Sequence, residues 1–477
     1  MGLTSRRLRV LCAGAIAAVG LALLPAGASA GATTVLTGTT TEASGLVSHY
    51  LIEVPDPWNG TLVLYSHGYQ FAAADPPDAG DPGTRGWLLA HGYALAGSSY
   101  ATTGWALQQA FQDQIAVLDV FDSKFRHPDR TIAWGHSLGG MITAGLVQLF
   151  ANRFTAALPM CGVVAGGPGV WNQGLDSEFA LQTLQPEFKH VKLVDFMSIG
   201  DAAANFGVAS SALAAAQKSA EGRARIALGS ALADVPGWFD PASPEPAAND
   251  YAAQEMNQVQ WDNNPDFYFG FFGRFELESK FRAGGNFSWN TGVDYRVQLS
   301  HSTDFAEVKA LYSAAGLDLN AELDQLNNAP RISADPSAVA YVSKYITYNG
   351  SLNMPVLTMH TTGDGLVEVT DENAYASVVR SAGDNSMLRQ VFVHRAGHCS
   401  FSPAETISAF QTLVHRLDTG RWEDSTNPVA MNSTATSLGS AFNVTVAASG
   451  AIVPAAASFI KFQPDKFLRP FDARDVA

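Results

Sequence analysis

A serine hydroxyl attacks a carbonyl carbon only when a neighbouring imidazole takes its proton. That imidazole in turn needs an acid on its far nitrogen, to fix its tautomer and to stabilise the cation that forms. The sequence offers Ser137 for such a role, within Gly135-His136-Ser137-Leu138-Gly139-Gly140. The preceding Thr131-Ile132-Ala133-Trp134 reads as a buried strand, and residues 141–150 have the length and apolar repeat of a helix. A serine between strand and helix can be held on a strained turn with its hydroxyl projecting, while glycines on both sides let the two elements approach. Two further groups suit the remaining roles: Asp364 in the turn Thr362-Gly363-Asp364-Gly365, and His398 in Arg395-Ala396-Gly397-His398-Cys399.

The elements that must position these groups alternate between strand and helix. Residues 47–54 and 61–66 read as strands joined by a turn rich in Pro, Asn and Gly, and the second ends in His67-Gly68-Tyr69. A short helix over 86–91, a strand over 93–97 and an amphipathic helix over 107–125 lead to the Thr131 strand, and Ala156 to Met160 forms another, with Cys161-Gly162 its exit. This alternation predicts an α/β fold with a mostly parallel sheet, its active edge at the strand C-termini. The pattern stops over 163–350, where helical runs (211–232, 304–314, 336–346), a proline-rich break and an aromatic cluster of Phe267, Tyr268, Phe269, Phe271, Phe272 and Phe275 predict a large, mainly helical lid with the aromatics in its own core. Strands resume at Met354 to His360 and at Leu388 to His394, separated by a helix over 372–381. Ser402-Pro403-Ala404-Glu405 opens the last helix with a capping box. The domain reading is therefore a catalytic domain over 31–162 and 351–420, a lid over 163–350, and a tail or appendage over 421–477, with 31–45 a loose arm.

Residues 1–30 combine a basic head (Arg6, Arg7, Arg9), an apolar run from Val10 to Leu24 and the small-residue site Ala28-Ser29-Ala30, which predicts a secretory signal peptide cleaved near Ala30; Ser5-Arg6-Arg7 leaves twin-arginine export open. The 477-residue chain carries a formal charge of −15, and loss of three arginines with the signal would take it to −18. Nucleic acid and stable membrane association are not expected of so acidic a chain, since both call for a basic surface. No Cys/His cluster has metal-ligand spacing and no glycine-rich phosphate loop follows a strand, so neither metal nor cofactor is expected. Cys12 leaves with the signal. Cys161 and Cys399 then both map to the C-terminal edge of one sheet, where an oxidising compartment permits a disulfide; two independent buried thiols are the alternative.

Val54-Pro55-Asp56-Pro57-Trp58-Asn59-Gly60, a strand ending in His67-Gly68, the Gly-x-Ser-x-Gly turn, and the order Ser137, Asp364, His398 resemble the α/β-hydrolase superfamily. The resemblance implies an α/β-hydrolase fold, with Ser137 as nucleophile, His398 as base and Asp364 as its orienting acid. The backbone N–H groups of Tyr69 and Leu138 would form the oxyanion hole. Among eleven histidines, His67 and His136 lie in motifs that the superfamily uses structurally, while His360 and His394 lie within strands. Trp58-Asn59-Gly60 and His398-Cys399 are also similar to the tannase and feruloyl esterase group, in which a cysteine beside the serine is disulfide-linked to one beside the histidine; here His136 precedes Ser137 instead. A serine at the turn excludes the branches that need aspartate there. The expected activity is a secreted serine hydrolase cleaving small carboxylic esters through an acyl-enzyme. The alternatives are a lidded prolyl-aminopeptidase-type peptidase, with Glu276 or Glu278 holding a substrate amine, and a non-catalytic binding protein working through residues 425–477.

Overall fold

The computed structural model describes residues 32–263 and 270–471; the expected signal peptide, together with Phe267, Tyr268 and Phe269, lies outside the described residues. The chain enters through β1 (Thr34–Thr41), β2 (Val47–Val54) and β3 (Thr61–Ser66), followed by α1 (Pro82–Ala90), β4 (Ala94–Ser98), α2 (Leu107–Lys124), β5 (Arg130–His136), α3 (Leu138–Leu149) and β6 (Ala156–Met160). The sheet resumes much later with β7 (Val356–Gly363). With β8 (Leu388–Ala396) and β11 (Phe459–Ile460) it completes a nine-stranded sheet ordered β1-β2-β4-β3-β5-β6-β7-β8-β11, in which the strands from β4 to β8 run parallel and the edges are antiparallel.

The parallel strands are apolar because helices cover both faces. Leu62, Leu64, Ala133 and Ala157 face a core shared with α2 and α3, while Val63, Ile132, Trp134 and Leu158 face the opposite core. β1 corrects the expected loose arm. It pairs with β2 along its whole length, Thr34 opposite Val54 and Thr41 opposite Val47. Its alternation was invisible in the sequence because no residue in it is buried, so the backbone ladder with β2 defines it.

Between β6 and β7 lie nine helices among the described residues: α4 (Gly167–Leu184), α5 (Ile199–Ala216), α6 (Ala220–Ala231), α7 (Tyr251–Asp262), α8 (Phe271–Glu278), α9 (Tyr295–His301), α10 (Phe305–Ala315), α11 (Leu319–Asn328) and α12 (Pro336–Lys344). They share a core of their own that includes Leu175, Phe179, Leu228, Tyr295 and Phe271. The run expected over 211–232 is two helices, because Ser219 turns out of the helical path and caps α6 by accepting from Gly222 N at 3.0 Å. This is the α/β-hydrolase fold with a large, mainly helical insertion.

After β7 come α13 (Asp371–Ala382), β8 (Leu388–Ala396), α14 (Pro403–Thr419), α15 (Pro428–Ser437), the hairpin β9 (Val444–Val446) and β10 (Ile452–Pro454), and β11 (Phe459–Ile460). The expected capping box opens α14: Glu405 N donates to Ser402 Oγ at 3.2 Å and Ser402 N to Glu405 Oε2 at 2.8 Å. The tail is tied into the body. β11 extends the sheet beside β8, Asn373 Nδ2 donates to Pro464 O at 2.9 Å, and Arg469 pairs with Asp176 of the lid. Among the described residues no helix is long and apolar enough to cross a membrane, and no cluster of three His, Cys, Asp or Glu side chains could hold a metal ion.

Candidate active site

Ser137 sits at the junction of β5 and α3 with φ 59° and ψ −127°, a left-handed conformation that a non-glycine residue adopts only under constraint. Its N–H donates to Met160 O on β6 at 3.0 Å, which holds the turn against the sheet. The flanking glycines are required by contact: a Cβ on Gly139 would lie 2.0 Å from Ser66 O, and one on Gly135 would lie 2.5 Å from Gly139 O. The loop after β3 runs directly over the serine, since a Cβ on Gly68 would stand 3.3 Å from Ser137 Cβ and 3.7 Å from its Oγ. Leu138 opens α3, where the first backbone N–H groups find no partner inside the helix and favour negative charge. Leu138 and Tyr69 line the same cavity as Ser137.

Asp364 is buried just past β7, and its carboxylate is fixed by backbone donors: Leu366 N and Val367 N each reach Oδ1 at 3.0 Å. His398 Nδ1 donates to Asp364 Oδ2 at 2.8 Å and lies 3.0 Å from Oδ1, which leaves Nε2 as the basic nitrogen. Ser137 and His398 line one cavity without a hydrogen bond between them, and such contacts commonly tighten only when substrate is bound. The histidine loop is anchored twice. Arg395 makes a two-pronged pair with Glu405, at 2.5 and 2.9 Å. Cys399 is disulfide-bonded to Cys161, with Cα atoms 5.4 Å apart and a sequence separation of 238. The Cys399 sulfur lies 3.4 Å from His398 Nε2, so the disulfide packs against the working edge of the imidazole.

The sequence reading passed over His360. It lies behind the acid, fully buried, with Nε2 3.7 Å from Asp364 Oδ2 and donating to Val367 O at 2.9 Å, and Nδ1 3.2 Å from Glu372 Oε1. Burial disfavours the charged ring, but the hydrogen bond and charge of Glu372, with the charge of Asp364, outweigh it and raise His360 to about 9. The readable signal was a pair of polar residues, Thr358 and His360, on one face of an otherwise apolar strand. His136 behaves oppositely: burial and the nearby His398 lower it to about 4, so it stays neutral, with Nδ1 3.3 Å from the Tyr65 hydroxyl. His67 stacks on Tyr100 at 3.8 Å. Asp371 and Asp384, two other acids of this region, accept instead from Ala165 N and Leu352 N.

The cavity holds about 330 Å³ and is closed over by the lid through Val170, Trp171, Glu178, Phe272, Gly273 and Arg274. Phe271 belongs to the lid core, against which Phe272 and Phe275 pack partly buried, and Phe272 also lines the cavity. The lid carboxylates considered for binding an amine are both engaged: Glu276 accepts from the Tyr69 hydroxyl at 2.7 Å, and Glu278 from Phe196 N at 2.8 Å. The lid cation at the cavity is Arg274, buried at 2 % exposure.

The chain is similar to several hydrolases. Residues 91–166, which span the serine turn, match the Prolyl oligopeptidase family. The chain is 28% identical over 413 residues to the o-phthalyl amidase of Xanthobacter agilis, covering 81% of this chain and 89% of that one. Similar solved structures include an esterase from Aspergillus oryzae (12% identity, TM-score 0.43, covering 80% of this chain and 79% of that one) and the rice cell wall degrading esterase LipA from Xanthomonas oryzae (12% identity, TM-score 0.38, covering 81% and 90%).

Proposed function

We propose that this α/β-hydrolase fold carries an exported serine hydrolase that cleaves carboxylic esters of small or medium size through an acyl-enzyme. In this reading Ser137 Oγ attacks the carbonyl carbon and its proton passes to His398 Nε2, while Asp364 stabilises the resulting imidazolium. The negative oxygen is held by the N–H groups of Leu138 and Tyr69, a contribution on the order of 3 kcal/mol per donor. Collapse of the intermediate breaks the bond to the alcohol oxygen, which takes the proton from His398. Water then repeats the sequence and releases the acid. The observation that carries the reading is the Asp364–His398 pair, bound at 2.8 Å and sharing a cavity with a serine on a strained turn. A cavity of 330 Å³ stands at the small end of ligand sites, which supports compact substrates over polymers. Export is supported by the basic-apolar-small pattern of residues 1–30 and by the disulfide.

Similarity to an amidase favours a second reading, hydrolysis of amides by the same route. The aminopeptidase form of that reading draws support from the match to the Prolyl oligopeptidase family, while the engagement of Glu276 and Glu278 and an arginine at the cavity weigh against it. The binding-protein alternative is weakened by a tail folded into the sheet. Incubation with 4-nitrophenyl esters, aryl 4-nitroanilides and aminoacyl 4-nitroanilides separates these readings. Ester turnover that vanishes in Ser137→Ala is expected. Turnover of aminoacyl anilides alone would replace the proposal, and no turnover of any kind would remove it.

A further inference from the structure

A buried guanidinium carries five N–H donors, and each one left without an acceptor away from water costs free energy. Arg274 makes one hydrogen bond to a described residue, from Nη1 to Ser288 Oγ at 2.8 Å. Glu278 Oε1 stands 3.7 Å away, near enough to attract but beyond hydrogen-bond reach. The charge is held in place by aromatic faces, 5.3 Å from the Trp171 ring and 5.1 Å from the Phe287 ring. A purely structural arginine in such a core would be expected to spread its fork over a carboxylate, as Arg395 does on Glu405. Arg274 instead lines the cavity that contains Ser137.

Beside it Glu178, at 4 % exposure, also lines the cavity, and its Oε2 has no hydrogen-bond partner. Burial, opposed by Arg274 and reinforced by Glu278, pushes the Glu178 carboxyl up to about 8, so at neutral pH it is an O–H donor, and among the described residues Arg274 keeps only the longer 3.7 Å pair with Glu278. The remaining walls include Tyr69, Phe71, Trp105 and Phe272, flat apolar surfaces suited to an aromatic ring.

We propose that Arg274 and Glu178 form a carboxylate cleft, so that the preferred acyl group is an aromatic ring bearing a second, free carboxylate: the substrates are monoesters or monoamides of aromatic dicarboxylic acids. This rests on the acyl-hydrolase reading above and adds the group that selects the substrate. The fork of Arg274 takes the free carboxylate, Glu178 donates to one of its oxygens, and the ring lies between the aromatic walls with its reacting carbonyl toward Ser137. Arg274 is a specificity-determining residue in this scheme and takes no part in proton transfer.

The test is the ratio of kcat/KM for mono-4-nitrophenyl isophthalate to that for 4-nitrophenyl benzoate, with spontaneous hydrolysis subtracted, in the mature full-length protein. A charge-assisted, two-pronged contact predicts a ratio of about ten to a hundred. Arg274→Met should bring the ratio to about one or below, and Arg274→Lys should restore part of it. A wild-type ratio near one for both the isophthalate and the corresponding phthalate monoester would overturn the proposal, as would an unchanged ratio in Arg274→Met. Calorimetry on Ser137→Ala with monomethyl isophthalate and methyl benzoate reads the cleft without turnover. Tighter binding of the carboxylate-bearing compound supports the cleft even if no ester is hydrolysed, and equal binding of the two overturns it even if every ester is.

Discussion

Buried charge is handled in two ways, by pairing behind the sheet's active edge and by neutralisation in part of the lid, which also holds the pairs Arg223–Glu255 and Arg469–Asp176. Behind the sheet's active edge, charges are paired: His360 stands between Asp364 and Glu372, and Arg395 locks onto Glu405 at the root of the histidine loop. In the lid, Asp234 and Glu307 are buried with no ion pair among the described residues, and burial, with neighbouring acids adding to it, raises them to about 8 and about 9. The sheet domain also has carboxyls driven up by burial, Glu368 and Asp371, in the segment between β7 and α13; Glu368 lines the same cavity as lid residues. Paired charges hold a reacting group to one geometry. Among the described residues Arg274 is the one Lys or Arg side chain lining the cavity, beside the neutralised Glu178. Under the proposal above, the sheet domain supplies the chemistry and the lid the choice of substrate.

The largest effect should come from the sheet side. Asp364→Asn keeps the shape of the turn but favours the wrong His398 tautomer, so kcat should fall by about four orders of magnitude with the fold retained, measured by ester turnover and circular dichroism. A loss under tenfold would mean that the pairing behind the active edge is structural only.

Next in size is the disulfide. Closing a loop of 238 residues stabilises by up to about 5 kcal/mol in the chain-entropy treatment. The Cys161→Ala/Cys399→Ala double variant should lower the denaturation midpoint in guanidinium, and it should also reduce kcat, because the bond abuts the His398 ring. Lost stability with unchanged kcat would separate the staple from the site.

The smallest effects distinguish the two regions by pH. The charged form of His360, held to about 9 against an ordinary 6.5, contributes stability that is fully present below pH 6.5 and lost as pH rises through about 9. Asp234, raised to about 8 from 3.8, keeps a proton that the unfolded chain releases, so stability is lost as pH rises from about 4 towards 8. In melting curves across pH 4 to 9, His360→Gln should flatten the upper limb. Asp234→Asn should flatten the lower one, melting above the parent at pH 8 and level with it near pH 4. The same change in both variants would erase the proposed contrast.

The same division decides what could be read from the sequence. Ser137, Asp364 and His398 were legible because each follows a strand of a recognisable apolar run, and topology then brings strand ends together. Cys161 and Cys399 were legible for the same reason. β1 and β11 were not, since edge strands held by backbone pairing carry little side-chain pattern. Arg274 belongs to no motif: its role depends on Trp171 and Glu178, some hundred residues earlier in the chain, and on a helix packing that local periodicity does not specify. His360 was read as a strand residue, which it is; its chemistry lies in neighbours four and twelve positions away, Asp364 and Glu372.

The central claim, that Ser137 is the nucleophile of a His398–Asp364 relay, is tested most directly by covalent labelling. The mature protein is treated with a serine-reactive aryl phosphonate, and the adduct is located by peptide mass spectrometry. One equivalent of label on Ser137, slowed by a competing ester and absent in Ser137→Ala, is expected. Label confined to another residue, or ester turnover that persists in Ser137→Ala, would contradict it.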